Sequence, residues 1–571
     1  MNPLKKYIPW VLAIFFGLVY LLTPTKLYYW DGVVFAQLCE YGTPHELLHP
    51  HHLIYNLVLD IVYELLRMHF PGLRALPFLI VVSSIFGALT IYFSHMVFRT
   101  IFNREGLAVA TTSFMGFAFS FWHFSTDASP YIISAFFPVL VAYLLLSMDN
   151  APHPKARTLW AAFMFVVGML FHQVVIFFYL VYAFWMCVFR FKDRKKRFPA
   201  YARIILIFVP ALITGIIYFE LGYIFYQYST FQDYWLWITA YGRQSRWWYA
   251  SEHSGILPFL IAIKLAHIKL FFYLDYIRFD LFRLREPIGL DIFKKIIAWI
   301  SLITVFLVLL RGIIYLVGAV GRRRFYAALL LLWIAPYFVF FIFFTPMYEF
   351  YRLYYLFPLM AIFALGLKGF FEKPLFEELD LPIRPNTLSG WVFILLAIFA
   401  IYNYTLGIKP QMNARNNKWL VNARAFIAGT PSDAILVVPY SKSFSYVADL
   451  VNYFGKQGIL FAEPYKPIVG PMPELVGPMP LEDETVRQFA WQDVEVKPGL
   501  IPSVEKMWFH EAMMKGTQND WKLFRYRFPD TKVYLEDIIE LPRLELFPEK
   551  VRLGSITYVP GKSYFVVPDA D

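Results

Sequence analysis

Long apolar stretches separated by short polar segments make up the first 407 residues of the chain. A helix needs roughly 20 mostly apolar residues to cross a bilayer, and eleven segments approach that length and composition. They lie at about residues 8–22, 76–98, 107–124, 130–147, 158–171, 174–190, 204–226, 296–318, 325–344, 350–368 and 388–406. The pattern therefore predicts a polytopic α-helical membrane protein with about eleven transmembrane helices.

From residue 408 onward the pattern is that of a water-soluble segment. The run "AILVVP" is typical of a buried strand, "YSKSFSYVADLVNYFGKQ" of an amphipathic helix, and "GILFAEP" of a second strand. The Pro-rich stretch "VGPMPELVGPMP" predicts a loop or a lid. We therefore expect a membrane domain over residues 1–407 and a C-terminal α/β domain over residues 408–571.

The basic loops orient the predicted helices. Cytoplasmic loops carry an excess of Lys and Arg, and "KKY", "FRTIFNREG", "PHPKAR", "FRFKDRKKRF" and "GRRRF" share one side if residues 228–295 make no net crossing. The segment "GILPFLIAIKLAHIKLFFYL" is accordingly interpreted as an interfacial or re-entrant amphipathic helix. The loops 23–75 and 228–295 and the C-terminal domain then face the extracytoplasmic side.

Composition and charge agree with a membrane protein. Hydrophobic residues make up 59% of the chain and charged residues 16%, against about 25% charged in soluble domains. Residues 1–407 hold 33 basic and 21 acidic side chains, whereas residues 408–571 hold 19 and 20. The excess of positive charge indicates membrane topology and contacts with anionic lipid, and no feature indicates nucleic-acid binding.

Two acidic residues stand beside predicted membrane helices. Asp31 lies in "KLYYWDGVVFAQLCEYG", just past the first span, and Asp127 lies in "STDASPYIISAFFPVLVAYLL", in a short external turn. Ionisable groups at the mouth of a helix bundle are candidates for function. The alternatives are a solvated surface residue for Asp31 and a helix cap formed by Asp127 or Ser129. Two carboxylates at one level of the bundle favour a functional site.

Four histidines follow in the first predicted loop, "EYGTPHELLHPHHLIYNLVLD", at positions 45, 49, 51 and 52. Their spacing matches no defined metal motif such as H-E-x-x-H. A contact of His49 and His52 with a phosphate or a hydroxyl group is therefore favoured. A bound divalent cation is the alternative that the pattern leaves open.

Further charged residues lie on the predicted outer face. "TPMYEFYRLYYLFP" places Glu349 and Arg352 at the outer end of a late span, either as an i,i+3 pair or with the guanidinium gripping a phosphate at two points. "YGRQSRWWYASEH" places Arg243 and Arg246 beside two tryptophans, which by themselves are typical of an interface belt. Several basic groups on one face favour an anionic lipid headgroup.

Together these motifs resemble those of the GT-C superfamily of integral-membrane glycosyltransferases. The resemblance covers roughly residues 8–406 and rests on "YYWDGVVFAQ", "LLHPHHLIY", "STDASPY" and the late "E…R.Y…P" span, followed by a soluble C-terminal domain. It implies a polyprenyl-phosphate-linked sugar as donor, a base at Asp31 and a second acidic group at Asp127. Many relatives carry an adjacent Asp-Glu pair where this chain has Asp31-Gly32, so the sequence departs from the family at a position associated with metal binding.

The chemistry of such a transfer fits the residues. A base must take the proton of the acceptor hydroxyl as it attacks the anomeric carbon, and positive groups stabilise the departing phosphate. We therefore expect an inverting transferase that acts at the outer face on a protein, lipid or glycan acceptor. Asp31 would be the base, Arg352 the first phosphate ligand, and Arg243 and Arg246 the next.

The competing hypothesis is a lipid-linked sugar flippase or another transporter. Transporters often show inverted repeats and polar groups at mid-membrane, whereas here the polar groups cluster at one face and the predicted number of spans is odd. A structural membrane component that recruits a partner is a third alternative. The short basic loops and the lack of a eukaryotic retention signal favour a bacterial inner membrane.

Overall fold

A computed structural model of the chain describes most of the predicted membrane domain and parts of the C-terminal region. The described residues are 3–148, 151–188, 198–240, 256–273, 290–318, 322–372, 385–429, 435–438, 442–455, 458–461, 506–510, 532–533, 538–540, 552–557 and 565–566. The loop "VGPMPELVGPMP" and the arginines Arg243 and Arg246 lie outside them.

The described part of the chain is mainly helical. In chain order its α-helices are α1 (Ile8–Leu22), α2 (Trp30–Tyr41), α3 (Pro44–Leu47), α4 (Tyr55–Arg67), α5 (Ala75–Phe102), α6 (Glu105–Phe117), α7 (Phe119–Ser125), α8 (Tyr131–Leu146), α9 (Pro154–Phe171), α10 (Tyr179–Val188), α11 (Ala200–Tyr226), α12 (Phe231–Ile238), α13 (Ile256–Phe271), α14 (Leu290–Val317), α15 (Arg322–Phe343), α16 (Leu353–Glu372), α17 (Pro385–Tyr402), α18 (Lys409–Gln411), α19 (Lys418–Gly429) and α20 (Lys442–Gly455). Short 3₁₀ segments cover Pro3–Lys6, Gln173–Phe178, Glu349–Arg352 and Ala414–Asn416, and a π-helical segment covers Asn403–Ile408.

The helices and strands fall into two compact units. The helical unit comprises Met1–Thr25, Thr43–Tyr228 and Gln244–Met412. The sheet unit comprises Lys26–Gly42, Ser229–Arg243 and Asn413–Asp571. The predicted boundary after residue 407 stays a prediction.

The helical unit makes the protein an integral multi-pass membrane protein. Among the described residues, seven helical stretches are long and apolar enough to span a bilayer, or eight if α6 and α7 form one broken span. Each of the eleven predicted spans falls on helical residues, but α1, α8 and Gln173–Val188 are shorter apolar helices of 10 to 17 residues. The total of eleven crossings therefore stays a prediction.

The predicted span 107–124 is broken rather than continuous. The chain bends by 66° between helices α6 and α7, and Ala118 between them has an extended backbone (φ −61°, ψ 132°). The carbonyl of Phe117 accepts a hydrogen bond from the side-chain amide of Asn403 at 2.9 Å. The same amide donates to the carbonyl of Phe271 at 2.8 Å. Asn403 thus satisfies backbone groups that the break and the end of α13 leave open.

Close helix packing places α16 in the middle of the helical unit. Of the apolar stretch Glu349–Lys368, 83% is buried, whereas only 22% of the apolar stretch in α11 is buried. A Cβ atom at Gly312 of α14 would collide with the carbonyl of Ile362, and one at Gly366 of α16 would collide with that of Val308. Each glycine lies against the backbone of the other helix, and the lack of a side chain at both positions allows α14 and α16 to approach closely.

The sheet unit contains two small sheets. Its strands are β1 (Ile435–Val438), β2 (Gly458–Phe461), β3 (Lys506–His510), β4 (Lys532–Val533), β5 (Ile538–Glu540), β6 (Arg552–Thr557) and β7 (Phe565–Val566). The first sheet has the order β2-β1-β3-β6-β5, with β1 parallel to both β2 and β3, and the second pairs β4 with β7. The predicted strand, helix and strand over 435–461 correspond to β1, α20 and β2.

The two predicted external loops contain helices. Residues 23–75 contain α2, α3 and α4, and α4 is amphipathic, with Tyr55 and Leu59 buried and the charged side chains of Glu64 and Arg67 exposed. The basic segment of the second loop is helix α13 (Ile256–Phe271), in keeping with the helix interpreted from sequence. Its position at the membrane interface stays a prediction.

Candidate functional site

Asp31 lies in the first turn of α2, within the sheet unit. The chain enters this helix with Tyr29 in an extended conformation as N-cap, and no side-chain capping hydrogen bond is formed there. The carboxylate of Asp31 is therefore close to the positive end of the helix, where a negative charge is stabilised. Trp30, beside it in sequence, is 39% exposed.

Asp127 lies in the helical unit, in the turn between α7 and α8, and is fully buried. The turn is held to its surroundings by backbone atoms: the amide of Thr25 donates to the carbonyl of Thr126 at 3.1 Å, and the Tyr55 hydroxyl donates to that of Ala128 at 3.1 Å. Pro130 occupies the N-cap of α8, and no side-chain capping hydrogen bond is formed by this residue. Asp127 is therefore enclosed by protein and is not exposed to solvent.

The histidine-rich segment packs beside this turn. The rings of His52 and His172 meet edge to face with centroids 4.4 Å apart, and the ring of His49 lies 5.9 Å from that of His52. The ring of His172 in turn lies 6.0 Å from that of Tyr131, the first residue of α8. The structure thus brings His49 and His52 together with His172, near the start of α8.

The backbone of the histidine segment is fixed by residues distant in sequence. Tyr218 and Tyr226 of α11 donate their hydroxyl groups to the carbonyls of Pro50 and Leu48, both at 2.5 Å. The amide of Gln173 donates to the carbonyl of His51 at 2.9 Å. Because a non-helical buried segment must find partners for its backbone groups, these tyrosines explain why "LLHPHH" can be irregular here.

Burial keeps His49, His51 and His52 neutral at neutral pH. Desolvation lowers the pKa of His49 to about 4, and it lowers the pKa of His51 and His52 well below the usual range. The neighbouring imidazoles lower these pKa values further. Neutral imidazoles donate and accept hydrogen bonds but bring no positive charge to a phosphate. Among the described residues, no group of three or more His, Cys, Asp or Glu side chains could hold a metal ion.

Arg352 is fully buried and binds backbone carbonyls. Its guanidinium donates to the carbonyls of Tyr348 at 3.0 Å, Phe341 at 3.0 Å and Pro346 at 2.8 Å. These carbonyls belong to the end of α15 and the turn after it, where Thr345 has a positive φ of 49°. Arg352 therefore holds this turn in shape.

Glu349 pairs with a lysine of another helix rather than with Arg352. The Lys269 ammonium of α13 lies 2.9 Å from the Glu349 carboxylate, with side-chain exposures of 38% and 10%. The Ser120 hydroxyl of α7 donates to the Lys269 carbonyl at 2.8 Å. The i,i+3 alternative predicted for Glu349 and Arg352 is therefore not the pairing that the structure shows.

Several residues of this region were not singled out from the sequence. Nδ1 of His123 in α7 donates to Oε1 of Gln411 at 2.6 Å. In the sheet unit, Asp449 of α20 accepts a hydrogen bond from the indole of Trp30. A histidine inside an otherwise apolar span was a usable signal for His123. No local pattern marks Asp449, because its partner lies in a different part of the chain.

Comparison with known proteins identifies the fold. No family model matches the sequence, and no curated protein matches it. The oligosaccharyltransferase of Archaeoglobus fulgidus in its apo form aligns with 92% of this chain and 72% of its own, with a TM-score of 0.52 and 14% sequence identity. ArnT of Cupriavidus metallidurans bound to undecaprenyl phosphate aligns with 98% of this chain and 99% of its own, with a TM-score of 0.52 and 12% identity. The chain therefore shares the fold of these two proteins, which agrees with the GT-C resemblance of its sequence motifs.

Proposed function

We propose that the protein transfers a sugar from a polyprenyl-phosphate donor to a hydroxyl group of an acceptor at the outer face of a membrane, with inversion at the anomeric carbon. One observation carries this proposal. The chain shares its fold, over nearly the full length of both chains, with ArnT crystallised with undecaprenyl phosphate. The acidic residue in the first turn of α2, Asp31, would supply the base.

In the proposed reaction Asp31 is the base. Its carboxylate takes the proton of the acceptor hydroxyl while the hydroxyl oxygen attacks the anomeric carbon. The bond between that carbon and the phosphate oxygen breaks on the opposite face, and polyprenyl phosphate leaves with the bonding electrons. Because the phosphate is a stable leaving group, a second carboxylic acid to protonate it is unnecessary, unlike in glycoside hydrolysis.

The phosphate requires positive charge nearby. Lys269 is the best described candidate for direct contact, because its ammonium is partly exposed and Glu349 orients it. The Nη atoms of Arg352 already donate to three carbonyls. Arg352 therefore remains a candidate for stabilising the phosphate by its positive charge and not by direct hydrogen bonds. Arg243 and Arg246 remain candidates from sequence alone.

The remaining polar residues are assigned supporting roles. His49 and His52, as neutral imidazoles, would hydrogen-bond the sugar or the phosphate rather than neutralise it. The complete burial of Asp127 favours a role in positioning its neighbours over direct proton transfer. Residues 408–571 would form an extracytoplasmic domain, and the proposed location is a bacterial inner membrane.

The proposal is tested with purified protein and a panel of polyprenyl-phosphate sugars, without a second protein or an energy source. The expected result is release of polyprenyl phosphate with at least one donor and only when acceptor is present, and polyprenyl phosphate without sugar serves as the blank. Movement of donor between the leaflets of liposomes with no release for any donor would contradict the proposal and favour the flippase.

A further inference from the structure

Helix α2 has a weak start of its own. Its N-cap residue, Tyr29, forms no side-chain capping hydrogen bond, and its first turn contains Gly32 and Val33, both poor helix formers. The amide of Val33 reaches the Tyr29 carbonyl only at 3.4 Å. A first turn of this kind frays unless tertiary contacts hold it. That turn carries Asp31.

One face of helix α20 supplies such contacts within the sheet unit. Tyr446, Asp449 and Tyr453 follow an i, i+3, i+7 spacing, which places them on one side of the helix. The Tyr446 hydroxyl donates to the Tyr28 carbonyl just before α2, and the Tyr453 hydroxyl donates to Glu40 in the last turn of α2 at 2.9 Å. The two tyrosines hold the two ends of the α2 segment.

Asp449 contacts the residue that precedes Asp31 in sequence. Its Oδ2 accepts the indole N–H of Trp30 at 2.5 Å, and its backbone carbonyl accepts the side-chain amide of Gln37 at 2.7 Å. Trp30 is adjacent to Asp31 in sequence, so fixing its indole fixes the turn from which the Asp31 side chain projects.

We propose that Asp449 is a positioning residue that fixes the first turn of α2 through Trp30 and so orients Asp31. The proposal rests on the role of Asp31 in the proposed function. It assigns a purpose to the C-terminal region: helix α20 carries no candidate base or phosphate ligand but determines where the base points. Because a base must lie within hydrogen-bond reach of the proton that it removes, a small change in its direction lowers turnover.

The first arm of the test measures order in the first turn of α2 without any substrate. Hydrogen–deuterium exchange of the peptide that contains residues 30–33 is followed in the full-length protein and in Trp30→Phe, Asp449→Leu and Asp449→Asn. Exchange is expected to accelerate clearly in the Phe and Leu variants, and less in Asn, which keeps a neutral acceptor oxygen. Unchanged exchange in the Phe and Leu variants would overturn the proposal, whatever the activity of the protein.

The second arm measures turnover. Trp30→Phe and Asp449→Leu are each expected to lower kcat by about fivefold, the size typical of losing one hydrogen bond, with little change in the KM of the donor. The double variant should be no slower than either single variant, because both remove the same contact. Additive losses, or a rise in KM with kcat unchanged, would contradict positioning.

Tyr453→Phe is the matched control. It removes one hydrogen bond between the same two helices, at the end of α2 far from Asp31. It should accelerate exchange near Glu40 and leave kcat close to that of the wild type. An equal loss of kcat in this variant would contradict the proposal, because it would mean that any lost hydrogen bond between α2 and α20 lowers turnover. A wild type that shows the exchange pattern but no transfer would refute the proposed function and leave the contact between Asp449 and Trp30 standing.

Discussion

At the scale of single residues, Arg352 shows how a charged side chain in a membrane helix bundle can donate hydrogen bonds to backbone carbonyls. Its charge and position at the outer end of a span made it the first candidate for a phosphate ligand. The structure shows three carbonyl acceptors around its Nη atoms. Sequence reasoning identifies such residues because charges near apolar spans are rare. The sequence does not show which groups these residues contact. The carbonyls of Phe341 and Pro346 come within reach of Arg352 only through the fold of the chain at the end of α15 and in the turn after it.

Replacing Arg352 should therefore destabilise the protein before it affects any chemistry. Arg352→Ala removes the guanidinium that donates to three carbonyls, two of them in buried hydrogen bonds, and a loss of about 2 kcal/mol or more is expected from unsatisfied buried groups. Arg352→Lys should recover little, because one ammonium cannot reproduce the planar fork. Thermal unfolding in detergent measures the effect, with Arg67→Gln as the control, because the Arg67 side chain is 47% exposed. An Arg352→Ala protein with wild-type stability would contradict the structural role.

Asp449 gives a prediction for the dependence of stability on pH. Desolvation raises the pKa of its carboxyl group to about 7, although the hydrogen bond from Trp30 acts in the opposite direction. The folded protein therefore binds this proton more tightly than the unfolded chain, in which the pKa of Asp449 is near 3.8. The free energy of unfolding consequently decreases as the pH rises from about 4 to 7. The melting temperature of wild type relative to Asp449→Asn should fall between pH 5 and pH 8. A difference that is constant across this range would contradict the raised pKa.

At the scale of elements, most helices but not their irregularities follow from the sequence. Each predicted span coincides with helical residues, because an apolar run of this length has no other way to satisfy its backbone in lipid. The break at Ala118 could not be predicted. Its stabilising partner, Asn403, lies 286 residues further along the chain. The helices α2 to α4 within a predicted loop were missed for a similar reason, since tertiary contacts hold them.

The packing of α14 against α16 depends on two glycines. Gly312→Leu or Gly366→Leu should separate the helices, because the first added carbon already meets a backbone carbonyl that cannot move aside. A loss of about 1–3 kcal/mol or more is expected from such overpacking, seen as a lower melting temperature. Gly215→Leu in α11 is the matched control, because a Cβ there meets nothing within 4 Å. Equal effects at both positions would contradict close packing as the cause.

At the scale of the whole molecule, the sheet unit combines segments far apart in sequence. It includes Lys26–Gly42, with Asp31, together with Asn413–Asp571. The sequence marked Asp31 as a candidate because of its place beside the first span. The grouping of α2 with α20 could not be anticipated, since it depends on contacts such as Trp30 with Asp449, 419 residues apart. The GT-C resemblance of the motifs is matched by a likeness of fold along 98% of the chain.

The role of Asp31 as the base is tested most directly by the rate of polyprenyl phosphate release in wild type and Asp31→Asn, measured with the donor that the panel identifies. The asparagine variant keeps the size of the side chain but cannot take the acceptor proton. We expect a loss of about 100-fold or more in kcat, with donor binding retained and only a small decrease in melting temperature, because the charge at the start of α2 is lost. Release at the wild-type rate by a folded Asp31→Asn protein would contradict Asp31 as the base.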